Sequence, residues 1–456
     1  MATPDAALAA GRPIPRFRER PLIGSIPALR RDPLGAYQRV ARQCGEIGLF
    51  HFGPFPIVFL NSPELIGAWL VDRAGDFDKG EPQRRAFRPW VGRGLLTSEG
   101  ELHRTQRKLL APSFTPRRVA GYAATMVDYA ERNQAAWADG AELGLAREMT
   151  RLTMSVVSKA LLDTELSGED ALGAAITEAM HHINYLFNHP FPLPLWVPTP
   201  SNRRTRRAMA FVQRYMWGLI AARRADAGDR GDVLSLLLQA RDEAGEGMSD
   251  QQVYDEAITL FVAGHETTAN ALTWAFWLLA RHPECYDRLQ RELDAVLAGR
   301  PPTAADLPRL PYALQVFKEA MRLYPPSSGL LRIALRDTEI GGYPIRRRTS
   351  VLCSQYVLHR RPDTFPEPER FDPERFAPER ERELPRYAYL PFGAGHRICI
   401  GNHFALLEGH LLLATLAQRV RFELAPGQDV APRLLVTLRP AREIAVRVRR
   451  RQPHAA

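Results

Sequence analysis

One stretch restricts the possible folds more than any other. From about Asp250 to Arg281 the chain keeps a helical pattern, and it stops at Pro283. A helix of that length runs about 45–50 Å, enough to cross a whole domain. Further amphipathic patterns cover 102–110, 116–137, 146–162, 171–186, 203–224, 284–298, 310–323 and 402–418. Strand-like runs are short: 47–52 and 57–60, then 331–335, 350–353, 420–424 and 444–448. The fold expected is mainly α with small β-sheets, one long central helix crossing the domain.

At 456 residues the chain could hold two or three domains, but it shows no repeat and no loose linker. Its strongest break, Pro190–Pro200, is apolar and aromatic, and suits a lid or access loop better than a solvated linker. The expectation is a Pro/Arg-rich lead-in over residues 1–20 and a single domain over 21–456. With 45% hydrophobic and 25% charged residues, a disordered or fibrous chain is excluded. The four cysteines, Cys44, Cys285, Cys353 and Cys399, form no Cys-x-x-Cys pair, which argues against zinc ribbons and a disulfide framework. A reduced, cytoplasmic setting is expected. No run at the N-terminus suits a signal peptide, and the longest apolar stretch, 269–280, is too short to span a bilayer, so no membrane anchor is expected. The formal charge of +10 suggests nucleic acid at first sight. Only four of the 61 basic residues are Lys, however, and the arginines are spread along the whole chain. That distribution argues against a nucleic-acid site and leaves room for a basic face that docks an acidic protein.

The segment richest in chemistry is Phe392-x-x-Gly395-x-Arg397-x-Cys399-x-Gly401, a glycine-rich loop presenting one thiol just before a helix. Glycines let a flat group approach the backbone, and a helix N-terminus favours thiolate over thiol. A lone cysteine at a turn is most often a buried structural residue, but that reading leaves the neighbouring Phe, Gly, Arg and Gly offsets unexplained. The segment resembles the heme-binding loop of the cytochrome P450 superfamily, and that family's other signatures follow in order from about residue 20 to the C-terminus. The resemblance implies the P450 fold, with the long helix over the heme, heme b as cofactor, Cys399 as the iron ligand, Phe392 packed beside it and Gly401 in the cofactor-binding loop.

Other roles follow from the same resemblance. Ala263-Gly-His-Glu-Thr-Thr268 looks like the family's acid–alcohol motif, with Thr267 serving iron-bound dioxygen, Glu266 relaying protons and Gly264 leaving room for dioxygen. Read from the residues alone, it could be a polar notch on a packed helix. The orientation of His265 is open. His103, Arg107, Arg332 and Arg397 match propionate-binding positions, which suit arginine's forked donors. Glu319, Arg322 and Arg375 match a buried structural triad. The substrate pocket is expected to draw on Phe87, Trp90, Val91, residues 187–196, Leu260, Phe261, Ala263, Leu330 and residues 434–436 including Leu435, although some of these must simply pack the core. Arg84, Arg85 and Arg88 could hold a carboxylate at its mouth.

The implied activity is a bacterial-type heme-thiolate monooxygenase that hydroxylates or epoxidises a lipophilic molecule (terpenoid, fatty-acyl, steroid or polyketide-like) with O2. The two electrons would come from a separate donor of ferredoxin/ferredoxin reductase or flavodoxin type. The rivals are a peroxygenase or isomerase on the same fold, against which the Glu266–Thr267 pair argues, and a non-catalytic heme sensor or a basic nucleic-acid-binding helical protein.

Overall fold

A computed structural model describes residues 12–20, 22–165, 169–189, 192–226, 228, 230–241 and 245–452. The first half of the expected lead-in and residues 190–191 of the expected lid lie outside them. The described chain divides into two compact units.

The first unit, built from residues 1–81, 321–371 and 378–399, is organised by a sheet. Its helix α1 (Pro33–Cys44) starts at Asp32, whose carboxylate accepts the Gly35 amide at 2.9 Å. Five strands follow in chain order: β1 (Ile47–Phe52), β2 (Phe55–Leu60), β3 (Phe77–Asp78), β4 (Leu330–Ala334) and β5 (Ser350–Cys353). They lie in the order β1–β2–β5–β4–β3, antiparallel except for β2 beside β5, where Ile57 faces Ser350 and Leu60 faces Cys353. Strand alternation sorts the apolar side chains onto two faces. Ile47, Val58, Leu60, Val351 and Cys353 join a cluster with Trp69 and Phe77, while Phe50, Phe59 and Leu352 pack with Val40 of α1.

The second unit, residues 82–320, 372–377 and 400–456, is helical. Its principal helices are α2 (Gly80–Val91, which begins in the first unit), α3 (Gly100–Leu110), α4 (Leu145–Leu162), α5 (Glu169–Asn188), α6 (Pro200–Ala225), α7 (Asp250–Arg281) and α8 (Asn402–Arg419). Helix α7 is capped by Ser249, whose hydroxyl accepts the Gln252 amide, and runs 32 residues without interruption to His282–Pro283. It is buried along most of its length and packs mainly on α4. At that crossing a Cβ on Gly264 would stand 3.4 Å from Val157, and the Thr153 hydroxyl donates to the His265 carbonyl at 2.9 Å. A three-stranded antiparallel sheet joins Glu142–Gly144, Ala445–Arg450 and Val420–Leu424. Two further short strands, β6 (Pro432–Leu434) and β7 (Leu438–Pro440), form a hairpin.

The expected long helix and the short sheets are present. Helices α1 and α2 are absent from the sequence expectation, because prolines and arginines obscure their apolar faces. The single pattern over 116–137 is two helices, Pro116–Ala120 and Ala123–Ala135, separated at Gly121-Tyr122.

Candidate functional site

In the first unit the cysteine loop is held from below by a buried relay. Arg322, wholly buried, donates to the carbonyls of His359 at 2.9 Å, Pro368 at 2.8 Å and Arg370 at 3.1 Å. The His359 ring then accepts the Leu390 amide on Nε2 at 2.9 Å, at the start of the loop. Burial is the main cause that pushes His359 down to about 3, so it stays neutral and keeps that acceptor. Sequence reasoning found Arg322 but missed His359. Its signal was a lone histidine in an apolar stretch, which does not distinguish a scaffold residue from any other.

Beyond Leu390 the loop turns through Gly395. Its φ of +69° is strained for any other residue, and a Cβ there would collide with the Leu70 carbonyl. The Cys399 amide donates to the Phe392 carbonyl at 2.9 Å, closing the loop, and Cys399 itself is exposed while Phe392 is half-buried. The buried structural cysteine of this chain is instead Cys353, whose thiol is pushed up by burial. Gly401 at φ −91° uses none of glycine's freedom and serves as the cap before α8. Arg332 lies on β4 and donates to the Leu331 carbonyl at 2.8 Å; Arg397 and Leu330 are half-buried.

In the second unit, His103 and Arg107 lie one turn apart on α3, His103 buried and Arg107 half-buried. Glu319 is fully buried, accepts the Asp372 amide at 3.0 Å and pairs with Arg375 at 3.5 Å, so the expected acid–base contact with Arg375 is present. On α7 the acid–alcohol residues point in different directions. Thr267 donates to the Ala263 carbonyl at 2.8 Å, and Ala263 is the exposed position of that turn. Glu266 faces the β6–β7 hairpin: its Oε1 takes the Thr437 hydroxyl at 2.6 Å and Nη2 of Arg439 at 2.5 Å. Gly264 faces Val157 of α4, where a Cβ would meet it at an ordinary contact distance of 3.4 Å. His265 turns into the core at 2% exposure, donating from Nδ1 to the Phe261 carbonyl at 2.9 Å, and burial pushes its pKa down.

Among the pocket residues, Phe261 (1% exposed) packs against the His265 ring and is a core side chain, whereas Leu260 is less completely buried. Trp90 donates from Nε1 to Nδ1 of His182 at 3.0 Å, and Phe87 meets Phe187 edge-on with ring centres 5.8 Å apart, so both aromatics of α2 lock onto α5. Leu435 lies in the turn of the hairpin, its amide donating to the Thr437 carbonyl. Buried acids were missed, among them one beside the acid–alcohol helix. Glu408 sits fully buried on α8 beside the Thr268 hydroxyl, and burial pushes it up to about 8. A carboxyl in the run 404–417, apolar apart from Glu408, His410 and Thr415, was its only sign in the sequence.

Comparison with known proteins identifies the family and the fold. The family model for cytochrome P450 matches residues 14–446. The chain is 39% identical to cyclooctatin synthase of Streptomyces melanosporofaciens, over 92% of each chain. It is 34% identical to pentalenene oxygenase of Streptomyces avermitilis, over 95% of this chain and 96% of the relative. The crystal structure of the cytochrome P450DA heme domain superimposes with a TM-score of 0.88 at 30% identity, covering 98% of this chain and 99% of that one. An exposed cysteine on a glycine-shaped loop, an uninterrupted helix bearing an acid beside an alcohol, and a family match over nearly every residue lead to one conclusion: the chain belongs to the cytochrome P450 family and is a heme-iron monooxygenase.

Proposed function

We propose that Cys399 is the thiolate ligand of a heme b iron, and that the enzyme oxidises a terpenoid hydrocarbon skeleton. The observation that carries the first part is the exposed Cys399 at the end of a loop whose close turn admits only glycine at residue 395. The donor set of the first unit also fits the cofactor: one thiol as a soft ligand, and Arg332 and Arg397 as cationic partners for its carboxylates. When bound, the heme iron activates dioxygen and delivers one oxygen atom to a C–H or C=C bond.

The residues of the chain supply the rest. Arg322 and His359 hold the cysteine loop, and we assign to Thr267 and Glu266 the delivery of two protons as one dioxygen atom leaves as water, Glu266 after it turns from the β6–β7 hairpin. Phe87, Trp90, Leu260, Ala263 and Leu435 of the second unit give the substrate an apolar surface with few polar anchors. The overall balance is substrate, O2, two electrons and two protons to oxidised product and water. We assign the electrons to a separate ferredoxin or flavodoxin. No described helix is long and apolar enough to cross a membrane.

The terpenoid assignment rests on two relatives, cyclooctatin synthase and pentalenene oxygenase, together with the apolar character of these side chains. The test is a panel of polycyclic terpenes, fatty acids, steroids and macrolides titrated into purified enzyme while the heme absorption band is followed. Saturable shifts confined to polycyclic terpenes are expected. Shifts confined to another class would overturn the substrate assignment.

A further inference from the structure

We propose that Arg439 is the positioning residue for the proton-delivering acid Glu266, latching that acid to the β6–β7 hairpin in the resting enzyme. The inference rests on Glu266 having the role given above. Three side chains on one face of α7, spaced four residues apart, reach the same hairpin. Glu266 meets Arg439 at 2.5 Å and Thr437 at 2.6 Å; Asn270 donates to the Thr437 hydroxyl at 3.2 Å; Trp274 donates to the Leu438 carbonyl at 3.3 Å. Spacing by four places them along one stripe of the helix.

The neighbouring Thr267 belongs to a different stripe. Adjacent helical residues point about 100° apart, and Thr267 hydrogen-bonds back to Ala263, the exposed position of its turn. Glu266 therefore reaches the Thr267 side only by leaving Arg439. Arginine stays protonated throughout the working pH range, so it cannot be the proton source. Its part is to hold the carboxylate until the acid swings. The latch is incomplete: among the described residues Arg439 Nε is buried without a hydrogen-bond partner, so the arginine gives up one donor to keep this geometry. The Glu266 and Arg439 side chains are 11% and 24% exposed, which leaves the pair only partly desolvated and able to open.

The experiment uses heme-loaded enzyme with an NAD(P)H-fed redox partner and a substrate from the spectral panel. Electrons that miss the substrate leave as hydrogen peroxide, from O2, two electrons and two protons. Arg439→Met is expected to raise peroxide per NAD(P)H about fivefold, with the substrate dissociation constant within about twofold of the parent. Arg439→Lys restores most of the coupling. Glu266→Gln uncouples at least as strongly, and adding Arg439→Met to it changes nothing further, because Arg439 acts only through the acid. Independently of turnover, hydrogen exchange at the backbone amides of 435–439 rises several-fold in Arg439→Met and in Glu266→Gln alike. If Glu266→Gln uncouples the enzyme and Arg439→Met does not, the inference fails while the assigned role of Glu266 stands. If neither variant uncouples, that role fails and the inference with it. A large rise in the dissociation constant for Arg439→Met at unchanged coupling would make Arg439 a substrate anchor and also overturn the proposal.

Discussion

At the scale of single residues, two buried carboxyls give the protein a measurable pH dependence. Burial pushes both Glu256 and Glu408 up to about 8, although the Leu95 amide and the Thr268 hydroxyl pull in the opposite direction. In the unfolded chain such groups ionise near 4.5. Below that pH both states are protonated and nothing is lost. As pH rises from about 4.5 to 8, the unfolded state ionises first, so each group costs roughly 1.4 kcal/mol of stability per pH unit across that window. Glu408→Gln should therefore match the parent near pH 5 and exceed it by a margin that widens up to pH 8, as read from urea unfolding at both ends. Parallel pH curves for parent and variant would show that the carboxyl is ionised in the fold. The same scale explains what was hidden in the sequence. Cys399, Glu266 and Thr267 were legible because several neighbours shared their spacing, whereas His359 and Glu408 act through burial, which spacing does not encode.

Between elements, α2 and α5 are joined by contacts of Phe87 and Trp90, two side chains of the proposed substrate surface. Trp90 donates to an unprotonated His182 nitrogen, and burial lowers the pKa of that histidine, so the bond persists at neutral pH. Trp90→Phe keeps an aromatic ring but leaves His182 without its donor. A buried neutral hydrogen bond contributes about 1 kcal/mol, and the corresponding expectation is a roughly fivefold rise in the substrate dissociation constant in a spectral titration. An unchanged constant would place the Trp90–His182 bond outside the binding equilibrium. Elements were legible where a single period ran uninterrupted, as in α7 and α8. They were not legible in α2, where Pro89 and three arginines break the pattern and contacts such as Phe87 with Phe187 stabilise the helix.

For the molecule as a whole, the sequence pattern made the helical class clear, because a 32-residue helix demands a large helical surround. It did not reveal the strand order β1–β2–β5–β4–β3, in which residues 57–60 pair with 350–353 across nearly three hundred positions. Local pattern carries no information about that pairing. The cysteine loop belongs to the sheet unit and the acid–alcohol helix to the helical unit. The claim on which the proposed chemistry depends is ligation of the heme iron by Cys399. Reduced enzyme saturated with carbon monoxide should show the red-displaced Soret band of thiolate ligation, and Cys399→Ser should lose it while keeping the parent's far-ultraviolet circular dichroism. A Cys399→Ser protein that retained the red-displaced band, or a parent protein that never showed it, would contradict the account.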